Sequence, residues 1–286
     1  VLKYLEEAMM KYSIGGDLPV TRIGFGAMRL ADADIWHGPA DRAGAVAVLR
    51  RAVELGANVI DTADVYALGD NERLIAEALH PYADGLVIAT KAGEVRPSPA
   101  DWIPLGRPEY LRQQAELSLR RLRLERIALF YLHRVDPAVP LADQVGALKE
   151  LQDEGKIRHI GLSEVTVDQI REAQRVAPIA AVQNHYNLAE RHHEAVLDYA
   201  EEQGIAFFPF FPIAIGRHAA GEGVPAEVAR EVGATPAQVA LAWLLHRSKV
   251  IVPIPGTSSI AHLEENMRAL DVRLSEEQIE RLAGTA

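Results

Sequence analysis

An α/β fold, a single parallel (β/α)8 barrel entered through an N-terminal β-hairpin, is what this sequence predicts, and three observations carry the expectation. From Arg22 onward, short apolar runs alternate with amphipathic stretches across short turns, the pattern of a parallel sheet with right-handed crossovers. A length of 286 residues suits one closed barrel. Three successive strand-like runs, residues 57–60, 86–89 and 127–132, deliver an Asp and a Tyr, a Lys, and a His to their carboxyl ends. That end of a parallel barrel is where such folds assemble their chemistry.

Each element has a local reason. Gly15-Gly16-Asp17 lies between runs 11–14 and 20–23, and glycines that tolerate positive φ make this a hairpin. Residues 22–28 read as the first barrel strand and 43–55 as the first helix, stopped by Gly56. Helices are expected over 71–79, 108–122 and 141–154, the last closed by Gly155. A strand at 157–162 and a helix at 167–176 follow. Runs 179–183, 205–210 and 250–255 complete eight strands, with helices at 194–203 and 236–246 between them. Near the C-terminus a short helix at 225–232 is extra, 259–268 closes the barrel, and a further helix at 274–282 is opened by a Ser275-Glu276-Glu277-Gln278 capping box. Two longer connections, 94–107 and 213–224, follow strands and would overhang the catalytic face.

Composition excludes several classes of function. Nearly half of the residues are apolar and about a quarter charged, as in a soluble protein with a sizeable core. A net charge of −10 argues against nucleic acid or an anionic membrane as the main partner. There are no cysteines, which rules out disulfides, thiolate catalysis and cysteine-bound zinc. The apolar run 205–215 is too short to span a bilayer and is broken by Pro209 and Pro212. Residues 1–10 carry Lys3, Glu6 and Glu7 without an apolar segment, so they read as a leader or start-site ambiguity rather than a secretory signal. A single domain over 11–286 and a cytoplasmic location are the expectations; His192-His193 lacks a further ligand at metal spacing, so no metal is expected.

The candidate catalytic residues are Tyr66, Lys91, Asp61 and His133. A free phenol, with a pKa of roughly 10, is a poor acid at neutral pH unless a nearby ammonium stabilises its phenolate. Lys91 is the candidate ammonium, Asp61 would hold it, and His133 would donate to an oxygen on which negative charge develops. A Tyr, an Asp or a His alone at such a position more often packs, caps or fills a core; the four together in this order point to catalysis.

The set resembles the Asp-Tyr-Lys-His tetrad of the aldo-keto reductases, a family of TIM-barrel enzymes. So do Gly24-Phe25-Gly26-Ala27-Met28, Asn71-Glu72, Gly161-Leu162-Ser163, Val182-Gln183-Asn184 and Ile254-Pro255-Gly256-Thr257-Ser258. The 207–212 run, Gly256-Thr257-Ser258-Ser259 and Leu241-Ala242-Trp243-Leu244-Leu245 particularly resemble a bacterial subgroup that includes pyridoxal reductases. The resemblance implies NADPH, with NADH possible, bound extended and without a dinucleotide-binding domain. Gly26, Met28, Phe211 and Pro212 would border it, Ser163 and Gln183 would hold the carboxamide, and Phe210 would stack on the nicotinamide. Gly256, Thr257 and Ser258, before a helix N-terminus, would take phosphate; His262, Glu265 and Asn266 would face the adenosine. Trp36 and Trp102 would line the pocket of a small carbonyl substrate. Glu164 stands where the family usually has Asn; when ionised it accepts from a carboxamide but cannot donate to it. The competing readings are a non-catalytic nicotinamide-binding redox sensor and a barrel aldolase forming a Schiff base on Lys91.

Overall fold

The computed structural model describes residues 11–213 and 223–285; the expected leader and most of the 213–224 loop lie outside them. A hairpin of β1 (Lys11–Ile14) and β2 (Leu18–Thr21) comes first. Seven parallel strands then form one sheet: β3 (Phe25–Gly26), β4 (Val59–Asp61), β5 (Val87–Ala92), β8 (Ile127–Leu132), β9 (Ile157–Ser163), β10 (Ile179–Gln183) and β11 (Ala206–Phe207). Between β5 and β8 a second hairpin, β6 (Glu94–Val95) with β7 (Ile103–Pro104), occupies what the sequence offers only as a loop.

The expected eighth strand at 250–255 is not a regular strand, yet its backbone joins the two edges of the sheet. Phe207 N–H donates to Val250 O at 2.8 Å and Val252 N–H to Phe207 O at 2.8 Å, on the β11 side. On the β3 side, Gly24 N–H reaches Pro253 O at 3.0 Å and Gly26 N–H reaches Pro255 O at 3.3 Å. Pro253 and Pro255 have no N–H to return, so the second ladder runs one way. The same shortfall trims the first strand, expected over 22–28, to Phe25–Gly26, after which Ala27–Leu30 turns as a 3-10 helix. The run 205–210 keeps only Ala206–Phe207 as strand, with a single bridge from His185 to Phe210 beyond it.

Helices cover the outside: α1 (Arg42–Glu54), α2 (Asp70–Leu79), α3 (Pro108–Leu122), α4 (Leu141–Asp153), α5 (Val167–Gln174) and α6 (Glu194–Gln203). Nearer the C-terminus follow α7 (Val224–Val232), α8 (Pro236–Arg247), α9 (Ile260–Met267) and α10 (Glu276–Ala283). Thr166, Thr235 and Ser275 each close a full capping box at the start of α5, α8 and α10. Among the described residues no helix is long and apolar enough to cross a membrane.

Strand residues alternate between two buried faces, which is why the strands read as continuous apolar runs. Ile88, Phe130 and Ile160 face the helices. Val59, Val87, Ala89, Leu129, Tyr131 and Ala181 share the cluster inside the barrel. Continuing each inward series by two residues gives Asp61, Lys91, His133 and Gln183 at the carboxyl mouth. Gly161 is required in this packing: a Cβ there would lie 2.3 Å from the Tyr131 ring.

The first hairpin plugs the opposite end. Ile14, Leu18 and Val20 join the interior cluster, and Tyr12 Oη donates to Gly204 O at 2.7 Å. Its turn needs Gly15, at φ 60°, because a Cβ there would sit 2.4 Å from the His159 ring. Ile14 is 0% exposed. Ile14→Ala is expected to cost about 2–5 kcal/mol in urea-denaturation stability. A loss below about 1 kcal/mol would show the plug to be dispensable to the barrel.

Candidate active site

At the carboxyl mouth Lys91, 0% exposed, places Nζ 2.5 Å from Asp61 Oδ1 and donates to Thr62 O at 2.7 Å. The second Asp61 oxygen, Oδ2, accepts from Gln183 Nε2 at 2.9 Å. A carboxylate only accepts, so the Gln183 amide nitrogen must face it, and Oε1 is the group left for the cavity. Burial pulls the Lys91 ammonium below its ordinary pKa, and the Asp61 charge works against that pull.

Tyr66 lies over this pair, with Lys91 Nζ 5.4 Å from its ring centroid, and meets the His133 ring edge-on at 5.9 Å. The expected acidification of the phenol is not what these surroundings produce. Burial, then the Asp61 charge, pushes Tyr66 well above its ordinary value, so the phenol stays protonated at neutral pH. His133 is shifted well downward by burial and by the Arg134 and Lys91 charges, which leaves its imidazole neutral.

The turn that carries Tyr66 is held from several sides. Thr62 Oγ1 donates to Asn71 Oδ1 at 2.7 Å, and Asn71 Nδ2 donates to Ala27 O at 3.0 Å. Glu72 accepts from Thr90 Oγ1 at 2.6 Å and from Arg121 Nε at 2.5 Å. Ala67 and Leu68 adopt left-handed backbone at φ 48° and 49°, with Ala67 N–H bonded to Ile35 O at 3.0 Å. Ile35, Glu164 and Phe211 are left-handed as well, at φ 57°, 53° and 48°. Such strain gathers where surrounding structure fixes a functional site.

A cavity of about 740 Å³ opens over the tetrad and runs to the start of α9. Asp61, Tyr66 and His133 line it, together with Gly26, Met28, Ser163, Gln183, Phe210, Phe211, Pro212, Gly256, Thr257, His262, Glu265, Asn266 and Trp102. Four expected site residues do not line it. Lys91 acts from beneath, and Ser258 is exposed before the Ser259 cap of α9. Trp36 stands outside the lining, 5.4 Å from the Arg96 guanidinium, which also lies over Trp102 at 3.9 Å. Arg96 also donates to Ile35 O at 2.7 Å and Asp34 O at 2.9 Å, tying the loop before α1 to the 94–107 segment.

Glu164 is the fourth. Its Oε1 accepts from the His185 N–H at 2.6 Å and its Oε2 lies 3.5 Å from His193 Nε2, so its carboxylate is occupied away from the cavity. Burial would raise this carboxyl, but the His193 side chain and the His185 N–H hold it below its ordinary value. Among the described residues no group of His, Asp and Glu is arranged to hold a metal ion.

Sequence reasoning missed Arg29, Glu94 and Arg134, which also line the cavity. Arg134 donates to Ser163 Oγ at 3.1 Å and to His133 O at 2.6 Å. Its adjacency to His133 was the available signal; Arg29 directly follows Met28, and Glu94 lies three residues past Lys91.

Residues 22–286 match the model of the Aldo/keto reductase family. The chain belongs to that family. It is accordingly an NAD(P)H-dependent oxidoreductase. It is 48% identical to an uncharacterised oxidoreductase of Schizosaccharomyces pombe, over 93% of this chain and 87% of the relative. It is 44% identical to the pyridoxine 4-dehydrogenase of Escherichia coli K12, over 94% of this chain and 96% of the relative. Among solved structures, an aldo-keto reductase from Klebsiella pneumoniae in complex with NADPH is 30% identical with a TM-score of 0.80, covering 95% of this chain and 94% of that one.

Two outcomes follow from the site's geometry. Asp61→Ala leaves the Lys91 ammonium buried without its counter-charge and is expected to lower stability by about 3–5 kcal/mol, read by chemical denaturation. A change within error would mean that the pair is not what keeps Lys91 in place. Glu164→Asn is expected to leave the dissociation constants of NADPH and NADH within about twofold of the parent, since net hydrogen-bond effects near 1 kcal/mol would show as larger changes. Equal tightening of both cofactors would return Glu164 to the carboxamide.

Proposed function

We propose that this protein reduces an aldehyde to an alcohol with NADPH, and that pyridoxal is its substrate. The observation that carries the reading is the convergence of Tyr66, Asp61 and His133 on one cavity, with Lys91 held beneath Tyr66 by Asp61. The resemblance to an Escherichia coli pyridoxine 4-dehydrogenase supports the substrate.

The residues present fit an extended nicotinamide dinucleotide. A cavity of about 740 Å³ lies in the size range of small-molecule sites. At its inner end Ser163 Oγ takes a hydrogen bond from Arg134, which leaves the Ser163 O–H as a donor, while Gln183 Oε1 accepts. A carboxamide needs one of each. Phe210 and Phe211 supply aromatic faces on the wall, and Arg29 runs beside Gly256, close to the start of α9, where anionic phosphate is favoured. When bound, the cofactor supplies a hydride to the carbonyl carbon.

The chain's own groups manage the proton. Tyr66, kept protonated by its burial, is placed to give its proton to the carbonyl oxygen as charge appears there. Lys91 then offsets the phenolate left behind, a stabilisation that grows only as the proton leaves. His133 offers a neutral N–H donor to the same oxygen. Met28, Ile35 and Trp102 exclude water around the substrate.

The Schiff-base reading requires Lys91 to meet substrate directly. Its ammonium is 0% exposed and committed to Asp61 and the Thr62 carbonyl, which speaks against that role. Tyr66→Phe is expected to lower kcat for pyridoxal reduction by about 10²–10⁴-fold. Fluorescence titration should find NADPH binding within twofold of the parent, because the hydroxyl acts only in the transition state. Parent-level turnover where chemistry limits the rate would remove Tyr66 from the role of proton donor.

A further inference from the structure

Glu94 opens β6 just past Lys91 and is 4% exposed, as is His133. Its Oε2 lies 3.4 Å from His133 Nδ1. Neither atom has a hydrogen-bond partner among the described residues, and both are shut off from solvent. Two buried orphan atoms of matching chemistry therefore face each other, and a proton placed between them satisfies both. The Glu94 backbone is fixed by the Tyr110 hydroxyl, which donates to its carbonyl at 2.9 Å, and by the pairing of β6 with β7.

We propose, on the reading of this protein as a carbonyl reductase, that Glu94 is a positioning residue that shares one proton with His133 Nδ1 and so keeps the Nε2–H of His133 available to the substrate oxygen. A neutral imidazole carries one N–H, and which nitrogen holds it is decided by the partner of the other. With the proton on Glu94, its O–H donates to Nδ1 and the ring must carry its hydrogen on Nε2. With Glu94 ionised, Nδ1–H donates to the carboxylate, and Nε2 turns from donor into acceptor. An acceptor would repel the carbonyl oxygen that the site has to stabilise.

The surroundings shift the balance toward the first state. Burial raises the Glu94 carboxyl above its ordinary value, opposed by Arg134, Arg96 and Lys91. The other titratable groups around it are Tyr66, whose phenol stays protonated; Tyr110; and Asp64, whose buried carboxyl is pushed well upward. The sign follows from the tautomer: reduction is supported while Glu94 holds its proton and weakens as pH rises through its raised pKa.

The test compares the parent with Glu94→Gln and Glu94→Leu for the kcat of NADPH-dependent pyridoxal reduction across pH, NADPH affinity, thermal midpoint, and the ring 15N shifts of His133. Glu94→Leu, which cannot satisfy Nδ1, should lower kcat by about 10- to 100-fold, the scale for groups that orient a functional imidazole. Its NADPH affinity should stay within twofold. Glu94→Gln keeps an N–H donor toward Nδ1 at every pH, so it should recover most of that loss and lack the alkaline limb of the parent. In the parent the 15N shifts should report an Nε2–H ring that changes tautomer along that limb. Leu and Gln variants that both keep the parent's pH profile, or a His133 ring with Nδ1–H throughout, would overturn the proposal. The 15N readout does not require turnover, so a parent that reduces no carbonyl would defeat the reductase reading while the shared proton is still decided.

Discussion

The buried ion pair between Lys91 and Asp61 is the constraint around which the mouth of the barrel is arranged. An ammonium taken fully out of water is sustained only if its charge and its donors are met inside the protein. Asp61 meets the charge, Thr62 O takes a second hydrogen, and Gln183 occupies the remaining Asp61 oxygen. Three strands, β4, β5 and β10, are thereby linked through one carboxylate. The phenol above the pair inherits its environment: burial and Asp61 keep Tyr66 protonated, and in the proposed reaction Lys91 would stabilise the phenolate only once it forms.

Around that centre the described loops are tied together by hydrogen bonds. Left-handed residues in four of them, at Ile35, Ala67–Leu68, Glu164 and Phe211, store strain that their hydrogen-bond partners must hold. The carbonyl of Ile35 accepts from both Ala67 and Arg96, so the turn bearing Tyr66 and the segment bearing Trp102 share an anchor. The guanidinium of Arg96 lies over the rings of Trp36 and Trp102, so the one tryptophan that lines the cavity, Trp102, is backed by a cation. Preorganisation of this kind lets donors meet developing charge without first moving.

Much of this was legible in the chain itself. Strand alternation marks the inward positions, and two-residue steps from Val59, Ala89, Tyr131 and Ala181 lead to Asp61, Lys91, His133 and Gln183. Helix boundaries followed from the Ser275 capping box and from stops such as Gly56 and Gly155. What stayed hidden depends on long-range geometry. The weakness of the eighth strand reflects where Pro253 and Pro255 fall against β3, and the β6–β7 hairpin has only two residues per strand to announce it. The family resemblance put Trp36 in the pocket; in the structure it lies outside the lining, near Arg96. Glu164 read as a carboxamide contact from its place beside Ser163, but a left-handed backbone turns it to His185 and His193. The phenol's shift was misread because Lys91 was weighed without the burial that accompanies it.

The central claim is that this mouth moves hydride and proton onto one carbonyl, with Lys91 as an electrostatic partner rather than a nucleophile. The most direct test is incubation of the protein with pyridoxal and NADPH deuterated at the transferring position of nicotinamide C4, followed by mass spectrometry of product and protein after borohydride treatment. Deuterium on the alcohol carbon of pyridoxine, with Lys91 unmodified, is the predicted result. Deuterium retained in the nucleotide, together with a substrate adduct reduced onto Lys91, would contradict it.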